Sequence, residues 1–353
     1  MASRSEPGPH DAPDELARSD HGGAGTGSAR AARNHEELLR DRRAALRQDQ
    51  SAVGAAELSR HVLDWARCLD AGERTLREAL RDGAARPDAA GPDAAGPGGS
   101  EVPVADARAL GRAAALLGAA EAAAVLAARS AHTLTAESSV TTTMVSALVP
   151  ALVAESTAGL GRPVAERTPD SERLRGAVVA QFPWLVHAFA AEEADEAGLA
   201  EAVRLGEPLV EVDPSRLNSL SRGGCSPIQA LPRLVAGPAL GTAPAEVQDL
   251  AKSVLAVGDE LHRRMAEVPD EPRSTATDRQ LAAAYETLYA AAACLGLWAA
   301  GAAVGELWLR AALRALLVRL HRLLGEEPPA LAPQPAEELL AAGLTAEGPL
   351  LPF

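Results

Sequence analysis

Few residues in this sequence of 353 have a type and a spacing that could support catalysis or bind a metal ion. The eight histidines stand singly along the chain, and the three cysteines, Cys68, Cys225 and Cys294, lie far apart. Neither a paired-cysteine zinc site nor a disulfide framework is therefore indicated. A P-loop would need Gly-Lys-Ser/Thr, but the single lysine, Lys252, follows an alanine. HExxH, GxSxG and EF-hand patterns are also missing, so the sequence predicts no metal site.

One acidic run could suggest a cation site, because four carboxylates stand within five residues. These are Glu192, Glu193, Asp195 and Glu196. Neighbours along a helix point around its axis and do not converge on one point. The run is therefore interpreted as a solvated acidic turn.

The composition predicts an all-α protein. Aromatic residues make up 3% of the chain, whereas alanine, leucine, arginine and glutamate, which favour helices, are abundant. The 48 acidic residues outnumber the 34 basic ones, which gives a formal net charge of −14. Such a charge repels phosphate backbones and anionic headgroups, so the sequence predicts neither a nucleic acid nor a membrane surface as a partner.

Apolar residues at three- to four-residue spacing predict four consecutive amphipathic helices, with bends predicted at Pro150 and Pro183. Four helices of this length that each carry an apolar stripe predict a four-helix bundle over residues 55–204. The four predicted helices span about 55–85, 104–132, 138–160 and 171–191.

The remaining segments are predicted from their composition. Residues 1–54 are polar and predicted to be a largely disordered arm, and 86–100 repeat DAAGP and are predicted to be a flexible surface loop. Residues 205–244 are predicted to be a linker that contains one short helix. Residues 245–325 are predicted to be a helical extension with helices near 245–268, 277–300 and 306–325, and residues 326–353 a Pro-rich tail.

One stretch, Thr287–Gly305, is uncharged and just long enough to cross a bilayer. Alanine and glycine dominate it, and the helix that follows carries interspersed arginines, so we expect a buried helix of a soluble protein. The N-terminus has no basic-then-apolar signal pattern. Together with the unpaired thiols, this predicts a cytoplasmic location.

Several segments, in order, resemble the C-terminal helical domain of the acyl-CoA dehydrogenase family, in particular its long actinobacterial forms. LDAGERTLREAL (Leu69–Leu80) is similar to the first helix of that domain, and the segment Val104–Leu134, which ends in His-Thr-Leu, is similar to the second. SVTTTMVSALVPALVAESTAGLG (Ser139–Gly161) is similar to the third, with its Leu-Gly ending. VVAQFPWL (Val178–Leu185) resembles the helix after the catalytic loop, and LYAAAACLGLW (Leu288–Trp298) resembles the extra region of the long forms.

The resemblance implies where an active site would lie. Enzymes of the family bind FAD and an acyl thioester between this bundle and a β-domain, and the polar residues ahead of the bundle here do not read as strands. Arg81 corresponds best to the arginine near the flavin diphosphate. Glu172 corresponds best to the catalytic carboxylate, with Asp170 and Glu166 as alternatives. Glu172 also follows Ser171, so it can equally be read as a carboxylate that stabilises the start of a helix.

Three functions follow as expectations. The first is a non-catalytic, acyl-CoA dehydrogenase-like subunit that holds no cofactor by itself and forms a homo- or hetero-oligomer, for example with a full-length acyl-CoA dehydrogenase. The second is a flavin-dependent component that completes its FAD site with another chain, in which Glu172 removes an α-proton while hydride passes to the flavin. The third is a helical interaction protein in which the ancestral activity is lost.

Overall fold

The computed structural model describes the chain in separate stretches, and every regular element in them is a helix. The all-α prediction is therefore confirmed for this part of the chain. The predicted arm (1–54), the predicted loop (86–100) and the candidate carboxylates Asp170 and Glu166 lie outside it. The described residues are 60–83, 104–134, 137–162, 171–180, 182, 185, 195–204, 225–268, 275–301, 305–328, 336–345 and 350.

The first three long helices pack against one another. They are α1 (60–83), α2 (Val104–Thr133) and α3 (Ser138–Gly159). The buried face of α1 carries Trp65, whose indole Nε1 donates a hydrogen bond to Ser146 Oγ on α3 at 3.1 Å. Alanine lines much of α2, and small side chains let helix axes approach closely, which is why α2 has α3 as its most extensive neighbour.

A later helix lies at the centre of the protein. It is α10 (Ala276–Ala299), which follows α4 (Ser171–Val179), α5 (Glu196–Val203) and α9 (Ala245–Ala266) and precedes α11 (Glu306–Leu323). It contacts α2, α3, α4, α9 and α11, and sixteen of its 24 residues are buried. The predicted bundle and the predicted extension therefore share one hydrophobic core.

Short helices occupy the region predicted to be a linker. They are α6 (Ser226–Gln229), α7 (Leu231–Ala236) and α8 (Pro238–Gly241), and a last one, α12 (Ala336–Ala342), lies in the predicted tail. Ile228, Leu231 and Leu240 are each at most 1% exposed. Residues 225–241 are thus part of the core and not a spacer, because each short apolar run turns one or two side chains inward between prolines.

Within the described part of the chain, three helices are long and apolar enough to cross a membrane by length and composition alone. They are α3, α10 and residues 107–131 of α2. In the most apolar 18-residue stretch of each helix, 61%, 89% and 83% of the residues, respectively, are buried inside the protein. The apolar surface of α10, where the stretch Thr287–Gly305 begins, is thus largely covered by other helices.

Two glycines on α2 allow its closest helix contacts. A Cβ on Gly118 would lie 2.5 Å from the indole Nε1 of Trp308 on α11, and a Cβ on Gly111 would lie 1.8 Å from the carbonyl oxygen of Glu337 on α12. Both distances are below any normal contact, so α11 and α12 take their positions because α2 lacks side chains at these residues.

We expect Gly118→Ala to destabilise the protein by about 1 kcal/mol, within a range of about 0–2 kcal/mol. Displacing the Trp308 indole costs about 1–3 kcal/mol, which the better helix propensity of alanine offsets by about 1 kcal/mol. Urea unfolding followed by circular dichroism measures the difference. Gly159→Ala is the control, since a Cβ on that exposed helical glycine would meet nothing within 4 Å. A Gly118→Ala protein as stable as the Gly159→Ala protein would contradict the account of this contact.

Candidate functional site

A cavity of about 640 Å³ lies between α5, the short helices α6–α8 and the C-terminal half of α10. Its floor includes Leu126 of α2 and Ala292 of α10, which are 1% and 2% exposed. Small-molecule sites in proteins are concave, mostly apolar and of about 300–1,000 Å³. The cavity is therefore the part of the described chain best shaped to bind a ligand.

The cavity exists because one face of α10 carries only small residues. Ala292, Gly296, Ala299 and Ala300 follow one another at intervals of four, three and one, so they lie on the same side of the helix. A Cβ on Gly296 would meet only Val203 Cγ1 of α5, at 3.6 Å. Larger side chains along this face would fill the space, as the leucines and tyrosines of α10 fill the core elsewhere.

Prolines fix the opposite wall. Pro227, Pro232 and Pro238 each stand in the first turn of a short helix, and all three line the cavity. Proline restricts φ to the helical value and lacks an N–H that the first turn could not pair anyway. The wall is therefore made of three short helices whose starts are locally fixed.

A buried carboxylate ties this wall to the rest of the protein. Glu137, just before α3, accepts a hydrogen bond from the backbone N–H of Ser226 at 2.8 Å and another from the Ser226 hydroxyl. The Ser226 hydroxyl oxygen in turn accepts a bond from the backbone N–H of Asp195 at 3.1 Å. Ser226 thus joins the start of α3, the start of α5 and the start of α6 at one point. Burial raises the pKa of Glu137 to about 7, although the bonds from Ser226 act in the opposite direction.

Part of the acidic run predicted to be a solvated turn has structural partners. Asp195 caps α5 by accepting a bond from the backbone N–H of Gly198 at 2.8 Å. Glu196 forms an ion pair with Arg233 of α7 at the cavity, and the two side chains are 62% and 58% exposed. Glu192 and Glu193 lie outside the described residues. Glu196 and Arg233 are the charged side chains among the described lining residues, and together they are neutral.

The described groups near the cavity are poorly suited to covalent chemistry. Cys225 is completely buried, and burial together with the charge of Glu137 raises the pKa of its thiol well above the ordinary value. Because the thiolate is the reactive form, such a thiol is a weak nucleophile. Both carboxylate oxygens of Glu137 accept hydrogen bonds from Ser226. The arrangement is suited to binding.

A second charged cluster ties four helices together. Glu155 of α3 accepts a bond from Arg112 of α2 at 3.1 Å and forms ion pairs with Arg319 and Arg322 of α11. Arg319 also donates to Thr287 Oγ1 of α10 at 3.1 Å. Burial alone would raise the pKa of Glu155, but the charges of Arg319 and Arg112 outweigh burial and lower it.

The two residues suggested by the family resemblance lie on α1 and α4. Arg81 is exposed in the last turn of α1, beside Glu78 and Asp82, which both pair with Arg162. Glu172 stands in the first turn of α4, and its side chain lies outside the described residues. The two arginines and two carboxylates at this end of α1 balance in charge. A flavin diphosphate needs an excess of positive charge, so these residues do not fit FAD.

The described residues contain no candidate metal site, and the comparisons with known proteins give no match. Within the described ranges, no group of three His, Cys, Asp or Glu side chains could hold a metal ion. The chain matches no family model, no curated protein and no solved structure.

Sequence reasoning missed the residues that build the cavity. Two signals were present: the small residues of α10 at helical spacing, and the recurrence of proline at residues 227, 232 and 238. Glu137 and Ser226 had no such signal, because they are 89 residues apart and meet only in the folded protein.

Proposed function

We propose that this chain is a non-catalytic, acyl-CoA dehydrogenase-like subunit that acts by binding a partner protein. The observation that carries the proposal is that three carboxyl groups, two of them buried and one partly buried, connect helices. Glu137 bonds to Ser226, Glu155 to arginines of α2 and α11, and Glu286 of α10 to Arg175 of α4 at 3.3 Å. None of the three lines the cavity, so none is placed to remove a proton from a molecule bound there.

The balanced charge around Arg81 supports the same proposal, because it does not favour a flavin diphosphate. The resemblance adds that the C-terminal bundle of these enzymes makes oligomer contacts. On this proposal the partner is a second copy of the chain or a full-length acyl-CoA dehydrogenase, in the cytoplasm, and Glu172 serves only the start of α4.

Absorbance and turnover of the purified full-length chain test the absence of catalysis. We expect less than stoichiometric flavin in the visible bands and no turnover when acyl-CoA and an electron acceptor are added. Glu172→Gln and the control Glu267→Gln, an exposed carboxylate at the end of α9, should behave like the wild type. A yellow protein that turns over, and loses turnover in Glu172→Gln but not in Glu267→Gln, would contradict the proposal and favour the flavin-dependent component.

Affinity purification of the tagged chain from its native host tests the partner. We expect recovery, in near-equal amounts, of an untagged copy or of a larger chain that carries the flavin domains of an acyl-CoA dehydrogenase. Light scattering of the purified complex then gives its stoichiometry. A strictly monomeric chain that recovers neither partner would contradict the proposal.

A further inference from the structure

We propose that the cavity between α5, α6–α8 and α10 is a binding site for an uncharged, mainly apolar small molecule. This inference does not depend on the proposed function, since ligand binding and partner binding are measured separately. It rests on the size of the cavity, on its lining and on the way its walls are fixed.

The size and depth favour a small molecule over a partner helix. The volume of about 640 Å³ is that of a drug-sized ligand site. The floor residues Leu126 and Ala292 belong to the hydrophobic core and are almost inaccessible. A ring system or an alkyl chain fits such a volume, whereas a helix with its side chains is about 10 Å across and would fill it within about two turns.

The lining determines the chemical class of the ligand. Leucine, valine, proline, alanine and glycine provide most of the described lining residues, so burial of an apolar ligand is favourable by about 25 cal/mol per Å². The charges of Glu196 and Arg233 cancel at the edge, and both side chains are more than half exposed. A charged ligand would lose its hydration without gaining an unpaired counter-charge. Gln229 is the one uncharged polar residue among the described lining residues.

The walls are held in place before any ligand binds. Ser226 connects α6 to Glu137 and to the start of α5, and prolines fix the starts of α6, α7 and α8. The floor belongs to α2 and α10, two of the longest described helices. A preformed site loses little conformational entropy on binding, so apolar contact can be converted into affinity.

A titration with Nile red, a neutral dye that fluoresces in apolar surroundings, tests the site in the full-length chain. We expect saturable binding of one dye per chain, with a blue-shifted emission. Gly296→Leu should weaken binding at least about tenfold, because its side chain extends from the small-residue face of α10 into the cavity. A Cβ at Gly296 meets no atom closer than 3.6 Å, and leucine favours a helix over glycine, so this variant should fold at least as stably as the wild type.

Gly159→Leu is the matched control. It makes the same substitution at an exposed helical glycine outside the cavity lining, and it should change the affinity by less than about twofold. Ala299→Leu places a second large side chain on the same face of α10 and should weaken binding in the same direction. Unchanged binding in both Gly296→Leu and Ala299→Leu, or dye binding that never saturates, would overturn the assignment of this cavity.

Competition between 1-decanol and decanoate tests the predicted neutrality of the ligand, because the two molecules share a chain and differ in charge. We expect 1-decanol to displace Nile red at a concentration at least about tenfold below that of decanoate at neutral pH. Stronger displacement by decanoate would overturn the assignment to an uncharged ligand. Neither outcome depends on whether the chain binds a partner protein or flavin.

Discussion

Replacing Glu155 with glutamine should lower the free energy of unfolding by about 3 kcal/mol. Glu155 is the shared counter-charge of Arg112, Arg319 and Arg322, and its side chain is 19% exposed. Glutamine keeps the shape and one acceptor oxygen but removes the negative charge. Three guanidiniums would then lie near one another, and Arg319, at 12% exposure, could not be fully hydrated.

Glu267→Gln is the control for this prediction. Glu267 pairs with Arg263 on the surface, where both side chains are more than half exposed, and such pairs contribute about 0–1 kcal/mol. Urea unfolding followed by circular dichroism compares the two variants. The double variant Glu155→Gln/Arg319→Gln should cost less than the sum of its single variants, because the second change removes the charge that the first leaves unpaired. A Glu155→Gln protein within about 0.5 kcal/mol of the wild type would show that solvent, and not Glu155, neutralises these arginines.

Helix positions could be predicted closely from the sequence. The predicted helices 138–160, 245–268 and 277–300 correspond to α3, α9 and α10 within two residues at each end. Capping signals help here: Thr275 and Asp278 form a reciprocal capping box at the start of α10. Such signals are local, so they can be read along the chain.

The packing of the helices could not be predicted in the same way. An apolar stripe shows that a helix face is buried, but it does not say against which helix. The buried residues of α10 surround most of its circumference, and this predicts burial without a preferred neighbour. The sequence analysis therefore placed α10 in an extension, whereas it contacts α2, α3 and α4.

The candidate site depends still more on such long-range contacts. The cavity combines a face of α10, three proline-started helices and a leucine of α2, so no single segment carries its pattern. Arg81, which was derived from family resemblance, is not among the described residues that line it. Sequence resemblance assigns a role to a residue from its position along the chain. A binding site, in contrast, depends on which residues lie next to one another in the folded protein.

Two buried carboxyl groups should make the protein less stable as the pH rises towards neutrality. Burial raises the pKa of Glu137 to about 7, and burial raises that of Glu286 to about 7 despite the nearby charges of Arg175 and Arg319. The folded protein then binds more protons than the unfolded chain between pH 4.5 and 7. The stabilisation is complete at low pH, and it is lost as the pH rises through the folded-state pKa.

A buried histidine acts in the opposite direction over part of this range. Burial lowers the pKa of His262 from 6.5 to about 4, although its bond to the Gly258 carbonyl oxygen favours the charged form. The unfolded chain therefore binds more protons at this residue between pH 4 and 6.5, and stability rises with pH there. Two carboxyl groups outweigh one imidazole. The net expectation is a loss of about 2 kcal/mol in the free energy of unfolding between pH 5 and pH 7.

Glutamine substitutions at Glu137 and Glu286 should change, in two steps, how the free energy of unfolding depends on pH. Glu137→Gln or Glu286→Gln removes one of the two contributions to stability that decrease as the pH rises. The remaining carboxyl group and His262 nearly cancel, so each single variant should show nearly constant stability from pH 5 to pH 7. The double variant retains only the contribution of His262 and should become more stable as the pH rises, by about 2 kcal/mol. Urea unfolding at half-unit pH steps measures all four proteins, with Glu267→Gln as an exposed control that should keep the wild-type slope. A wild type whose stability rises from pH 5 to pH 7, or a double variant whose slope equals that of the wild type, would show that neither carboxyl group keeps its proton in the folded protein.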